Sequence, residues 1–277
     1  MAALDGVEIK MARSMEHITS LREETTQFIE GQGAQYRRVR DEEPPKGWGF
    51  YVAWEPVPGR FGAIIGDALT NMRAALDHLA SQLFFATKQA PTDAWINFPI
   101  ASDPAKPLKS LQRVPAAAAP IIASVQPYQN LTRGQPAEIH PLHVLKLLVN
   151  RDKHEALTLT ELFGASSIIR VTGIGGAPIF GSVETPGGLA TDPVGWLPDE
   201  AFPADEPWEI FATIEPILAI DLGNKRMLPI LELLTSMHSY VQGEVIDPIA
   251  AACFSSSSLS VQGHASGVLA KEPDQFG

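Results

Sequence analysis

The strongest constraint on this chain is the run Ile65, Leu69, Met72, Leu76, Leu79 and Leu83. These residues recur at alternating steps of four and three, the spacing that keeps apolar side chains on one face of an α-helix. A seam that continuous has to be buried, so it predicts a long internal helix from about Arg60 to Thr87, with Pro91 preventing much further extension. The same stretch carries Asp67, Asn71, Arg73, Asp77 and His78 beside the seam, so ionisable and amide groups stand directly against an apolar face.

Other segments repeat the helical pattern. Leu4, Val7, Met11, Ile18, Leu21, Thr25 and Phe28 predict a first helix, stopped at Gly31 and Gly33. Leu142, Leu145, Leu148 and Val149 predict a third over about Pro141 to His154, with proline tolerated near its start. Met227, Ile230, Leu231, Leu234, Met237, Val241 and Val245 predict a last helix beginning near Asn224.

Strand signals fall between these helices. Tyr36 to Trp54 reads as a hairpin about a turn rich in acid, proline and glycine. LTLTEL, SIIRVTG, APIFGSV and EIFATIEPILAI are rich in branched residues and read as a small antiparallel sheet. Between Trp95 and Tyr128 the prolines imply short helical turns and crossing loops, with WINFPI as an edge strand. The expected fold is therefore α+β: a bundle of about four long helices, an N-terminal hairpin, and a small sheet inserted before the last helix. Residues 1–254 are expected to form one domain and 255–277 a flexible tail, because the stretch from the serine run to the C-terminus has little apolar content.

A net charge of −11 over 277 residues repels polyanions, so duplex DNA is not an expected partner. The compact basic run Arg37, Arg38 and Arg40 reads as the solvated edge of a strand. A single cysteine, Cys253, excludes an internal disulfide and a thiolate zinc site and suits a reducing compartment. With no basic leader and no run of about 20 apolar residues, the expectation is a cytoplasmic protein without a membrane partner.

At 100° per residue, Asp67, Asn71, His78 and Gln82 fall in a narrow arc that could face a shared cavity. Arg73 and Asp77 lie on the other flank at i and i+4, the spacing of a helical ion pair. On the third helix His140, His143, Asn150, Arg151 and His154 lie opposite Leu145 and Val149. His143 and His154 are about 16 Å apart along the axis and cannot ligate one ion unaided. No Glu-x-x-His or His-Glu-x-x-His motif is present, so neither a metal centre nor any other cofactor is expected. His140 and His143 are expected to be hydrated near the helix start, and Asn150 and His154 to satisfy loop carbonyls. GIGG at Gly173 to Gly176 reads as a hairpin turn, and no GxSxG elbow accompanies Ser255 to Ser258.

Arg73-Ala-Ala-Leu-Asp-His78 resembles the arginine, four residues, histidine pattern of HEPN-type helical proteins, many of which are metal-independent ribonucleases of toxin, antiphage or RNA-processing systems. Ala74 stands where those patterns often carry a polar residue. GDALTNMRAALDHLASQL together with LLVNRDKHEAL is also similar to a widespread uncharacterised bacterial family in which both segments recur, a likeness that implies no particular activity. The HEPN resemblance implies a homodimeric endoribonuclease of a toxin or defence system acting on RNA. Arg73 would bind the scissile phosphate and His78 would move a proton, with Asn71 and Asp77 orienting them. A non-catalytic alternative treats Asp67, Asn71, His78, Asn150 and His154 as a hydrogen-bonded structural clamp between helices in a ligand-binding or interaction protein, with Asp152 beside Asp67, Asn150 and His154 in a ligand-binding or structural polar cluster.

Overall fold

A computed structural model describes residues 4–31, 35–42, 46–53, 55–87, 97–106, 108–157, 159–163, 168–173, 183–184, 195–198, 208–213, 216–223 and 226–254. Helix α1 spans Asp5–Gly31 and α2 spans Arg60–Ala86. Their apolar seams face each other: Val7, Met11, Ile18 and Leu21 are buried on one side, Ile65, Leu69, Met72, Leu76, Leu79 and Leu83 on the other. Within that contact the buried Ser14 hydroxyl donates to the Ala68 carbonyl at 3.0 Å, which satisfies its only polar group inside the core.

The short helices α3 (Ala118–Ser124) and α4 (Gln129–Thr132) lead into α5, Pro141–Asp152. The last helical stretch comprises α6 (Ile230–Tyr240), a π-turn over Val241–Ile246, and α7 (Asp247–Phe254). The wide turn has a cause in Pro248, which lacks an N–H and whose ring would collide with the Glu244 carbonyl in a regular α-turn. Leu142, Leu145 and Leu148 of α5 and Ile230, Leu234, Met237, Val241 and Val245 of the last stretch close one apolar core around α2.

Two glycines of α2 set how closely the chain at and after the end of α5 can approach. A Cβ on Gly62 would collide with the Leu157 carbonyl oxygen, and one on Gly66 would sit 2.5 Å from the Asp152 carboxylate. Glycine is required at Gly62 because its neighbour is backbone and cannot swing away.

The expected hairpin is present, β1 (Gln35–Asp41) pairing antiparallel with β2 (Gly47–Ala53). Arg37 and Arg40 lie over the rings of their cross-strand neighbours Tyr51 and Trp48, so these two members of the basic run are engaged within their own hairpin. The later strands are β3 (Leu159–Phe163), β4 (Ile168–Gly173), β5 (Val183–Glu184), β6 (Gly195–Pro198), β7 (Trp208–Thr213), β8 (Pro216–Asp221) and β9 (Met227–Pro229). The small antiparallel sheet expected before the last helix is present as β3-β8-β9, and among the described residues the other strands form two further three-stranded sheets, β1-β2-β6 and β5-β4-β7. All their pairings are antiparallel.

The last helix begins at Ile230, later than the expected start near Asn224. Gly223, at φ +96°, turns the chain back so that Met227 to Pro229 pair with Ala219 to Asp221 as a strand. Of WINFPI, Trp95 and Ile96 lie outside the described residues; Asn97 to Ile100 belong to no sheet. The expected tail from Ser255 onward, and the GIGG turn beyond Gly173, also lie outside them. No described helix is long and apolar enough to cross a membrane.

Candidate functional site

Arg73 and Asp77 form a two-point ion pair, Nε to Oδ2 at 3.1 Å and Nη2 to Oδ1 at 2.9 Å. The pair also holds a third partner. Asp77 Oδ1 accepts from the Phe98 N–H at 2.8 Å, and Arg73 Nη2 donates to the Phe98 carbonyl at 3.1 Å. One peptide donor and one peptide acceptor are thus satisfied by a helical side-chain pair in the way a neighbouring strand would satisfy them. The Phe98 side chain itself is buried, 1% exposed, in the main core.

The same substitution of side chains for a sheet partner continues along the segment. Gln126, fully buried, donates from Nε2 to the Pro99 carbonyl at 3.0 Å and accepts the Ala101 N–H on Oε1 at 2.9 Å. Lys146 reaches the Ile100 carbonyl at 3.3 Å, and Ser102 Oγ lies 2.7 Å from His143 Nδ1. Pro99 has no N–H to offer a ladder, which accounts for a strand-like sequence that joins no sheet.

Between this segment, α2 and α5 lies a cleft of about 330 Å³. Its lining includes Arg73 and Asp77 from α2, Phe98 from the crossing segment, and Lys146, Asn150 and Lys153 from α5 and the residue directly after it. Lys146, Asn150 and Lys153 are exposed and stand at i, i+4 and i+7, so they present one face to the cleft.

The remaining expected site residues go elsewhere. His78 is exposed on α2 against the start of α1, where a Cβ on Gly6 would come 2.9 Å from its Nδ1. Arg73 and His78 therefore face different neighbours within one chain. Asn71 donates to the Asp67 carbonyl at 2.8 Å and accepts from Lys10 at 3.3 Å, a local arrangement on the α1–α2 surface. Asp67 is exposed, and Asp152 lies over Gly66; burial, with the Asp67 carboxylate adding to it, holds the Asp152 carboxyl above its ordinary range. His154 is exposed at the end of α5. Asp67 and Asp152 are thus neighbours, whereas Asn150 belongs with Arg73 in the cleft and His78 with Gly6, so the expected clamp residues are not brought together as one cluster. Arg73, Asp77 and Gln126 hold the protein together at this point instead.

His140 is not hydrated as expected: it is 5% exposed and caps α5, its Nδ1 accepting the Leu142 N–H at 3.2 Å. Its Nε2 lies 3.0 Å from the Tyr240 hydroxyl, with the two rings edge to face. Because Nδ1 accepts, the neutral ring carries its proton on Nε2 and donates it to Tyr240. Burial, reinforced by Arg133 and His143, lowers the His140 pKa to about 4, and burial raises that of Tyr240 to about 12. Burial also lowers the pKa of His143. Among the described residues no group of three or more His, Cys, Asp or Glu side chains is placed to hold a metal ion.

Sequence reasoning places Arg73 and Asp77 together but does not reach Phe98, Gln126 or Lys146. The usable signal was Gln126, an amide in an otherwise apolar stretch, IIASVQPY, that needs a buried partner. No protein-family model, curated protein or solved structure matches this chain.

Proposed function

We propose that this protein is a non-catalytic ligand-binding protein in which Arg73 and Asp77 form a structural clamp that shapes the cleft between α2 and α5. The supporting observation is the fourfold use of the pair: two contacts between the side chains and two to the Phe98 peptide groups. A guanidinium engaged in this way is 19% exposed and has little freedom to meet a scissile phosphate. The ribonuclease alternative would require Arg73 to release Phe98 and, because His78 faces α1, a second copy to bring the two chemistries together. An RNA substrate and a homodimer belong to that alternative and not to the clamp.

The deciding experiment incubates the purified chain with mixed single-stranded RNA in EDTA, beside Arg73→Ala and His78→Ala. The clamp predicts no cleavage above background in any of the three, a clear loss of thermal stability in Arg73→Ala, and little change in His78→Ala. Cleavage by the wild type that disappears in both variants would overturn it.

A further inference from the structure

We infer that the cleft takes a small phosphate-bearing metabolite, held by Lys146 and Lys153 across Asn150. The inference rests on the ligand-binding reading above and adds the chemistry of the ligand. Inside the cleft Asp77 cancels the charge of Arg73, leaving the two lysine ammonium groups in excess. Among the described residues neither lysine is paired with a carboxylate, and only one of the three Lys146 donors is committed, to the Ile100 carbonyl. An uncompensated pair of cations in a chain of net charge −11 is a local inversion of the protein's field.

The spacing fits one phosphate. Lys146 and Lys153 are separated by about 10 Å along the helix axis. Each side chain is long enough to lean inward, so both ammonium groups can meet a phosphate seated at the level of Asn150. The amide of Asn150 then adds a donor between them. Ile100 and Val149 also line the cleft and offer an apolar surface to a short carbon skeleton. A volume of about 330 Å³ lies at the small end of the range for metabolite sites.

The overall charge separates a metabolite from an RNA strand. At physiological ionic strength fields fade over about 8 Å. A small dianion inside the cleft therefore senses chiefly the lysines, whereas the flanking phosphates of a strand would extend over the acidic remainder of the surface.

The test is isothermal titration of the full chain at low ionic strength with glycerol 3-phosphate, inorganic phosphate and a 5′-hydroxyl single-stranded RNA decamer, each against sodium chloride at matched ionic strength. Wild type, Lys146→Gln, Lys153→Gln and the double variant are compared, with thermal melts without ligand to establish that the exposed substitutions leave the fold intact. The expected result is saturable binding of both small phosphates, glycerol 3-phosphate the tighter, weakened at least tenfold in the double variant. Absence of saturable binding to either small phosphate, equal binding by wild type and double variant, or tighter binding of the decamer would overturn the inference. These outcomes are distinct from those that test the clamp, which is overturned by RNA cleavage dependent on Arg73 and His78.

Discussion

The buried cap of α5 makes the stability of this protein depend on pH in a way that one residue should control. His140 is neutral in the folded state because Nδ1 must accept the Leu142 N–H and the ring lies out of water. Its pKa is lowered from 6.5 to about 4, while in the unfolded chain it returns to the ordinary value. Between those limits the unfolded state binds more protons than the folded one, so stability rises with pH. The His140 contribution is present in full above pH 6.5, falls as the medium is acidified, and is lost by about pH 4. At 1.36 kcal/mol per unit the whole difference is about 3 kcal/mol, and the part lost between pH 7.5 and pH 5 is about 2 kcal/mol. His140→Asn isolates it, since asparagine can still cap the helix but does not titrate. At pH 7.5 the variant should be less stable than wild type by about 1–2 kcal/mol, having lost the Tyr240 hydrogen bond and the ring contact. At pH 5 the gap should close or reverse. Urea denaturation monitored by far-UV circular dichroism at the two pH values gives both gaps, and subtraction removes the shared contributions of His143 and the carboxylates. A gap that stays constant with pH to within about 0.5 kcal/mol would refute the assignment of a neutral, proton-excluding cap.

The clamp and the close approaches around α2 lead to further expected outcomes. Arg73→Met and Asp77→Asn should each cost about 2 kcal/mol, because each leaves a half-buried charge or a Phe98 peptide group unpaired. Their double variant should cost clearly less than the sum, and a strictly additive cycle in urea denaturation would contradict the shared contact. Gln126→Leu should destabilise by about 2–3 kcal/mol and accelerate hydrogen exchange at the Ala101 amide; unchanged exchange would argue against the side-chain pairing. Gly62→Ala should cost about 2–3 kcal/mol through its collision with the Leu157 carbonyl, whereas Gly59→Ala, with open space around it, should melt within a few degrees of wild type.

The helices were legible because each carries its own seam. The steps of four and three along α2 need no knowledge of a partner to imply burial, and the acid, proline and glycine turn near Glu43 marks the hairpin by local chemistry alone. Errors arose where a distant segment decides. Met227 stands at helical spacing from Ile230, yet the positive φ of Gly223 sends it back along β8 as a strand. β6 pairs with β2 rather than with its sequence neighbours, a pairing no local pattern announces. At the site, the i,i+4 spacing of Arg73 and Asp77 gave the ion pair, but the peptide groups they hold lie 21 to 25 residues onward and are visible only in three dimensions. His140 looked like a hydrated imidazole because a histidine beside a proline at a helix start is usually near solvent. The Tyr240 ring that covers it comes from 100 residues further along the chain.

The segment from Phe98 to Ala101 has one further consequence. A strand in a ladder meets the same repeating backbone groups at every second residue, so a slip of register keeps most of its bonds. Here each peptide group meets a different chemical hand: a carboxylate and a guanidinium at Phe98, an amide at Pro99 and Ala101, an ammonium at Ile100. Sliding by two positions in either direction would pull the buried Phe98 side chain out of the core, and in one direction it would set Pro99, which has no N–H, opposite the Gln126 oxygen. The strip is therefore keyed to a single alignment, and its inner edge cannot be borrowed by a foreign strand without dislodging side chains from three separate parts of the fold.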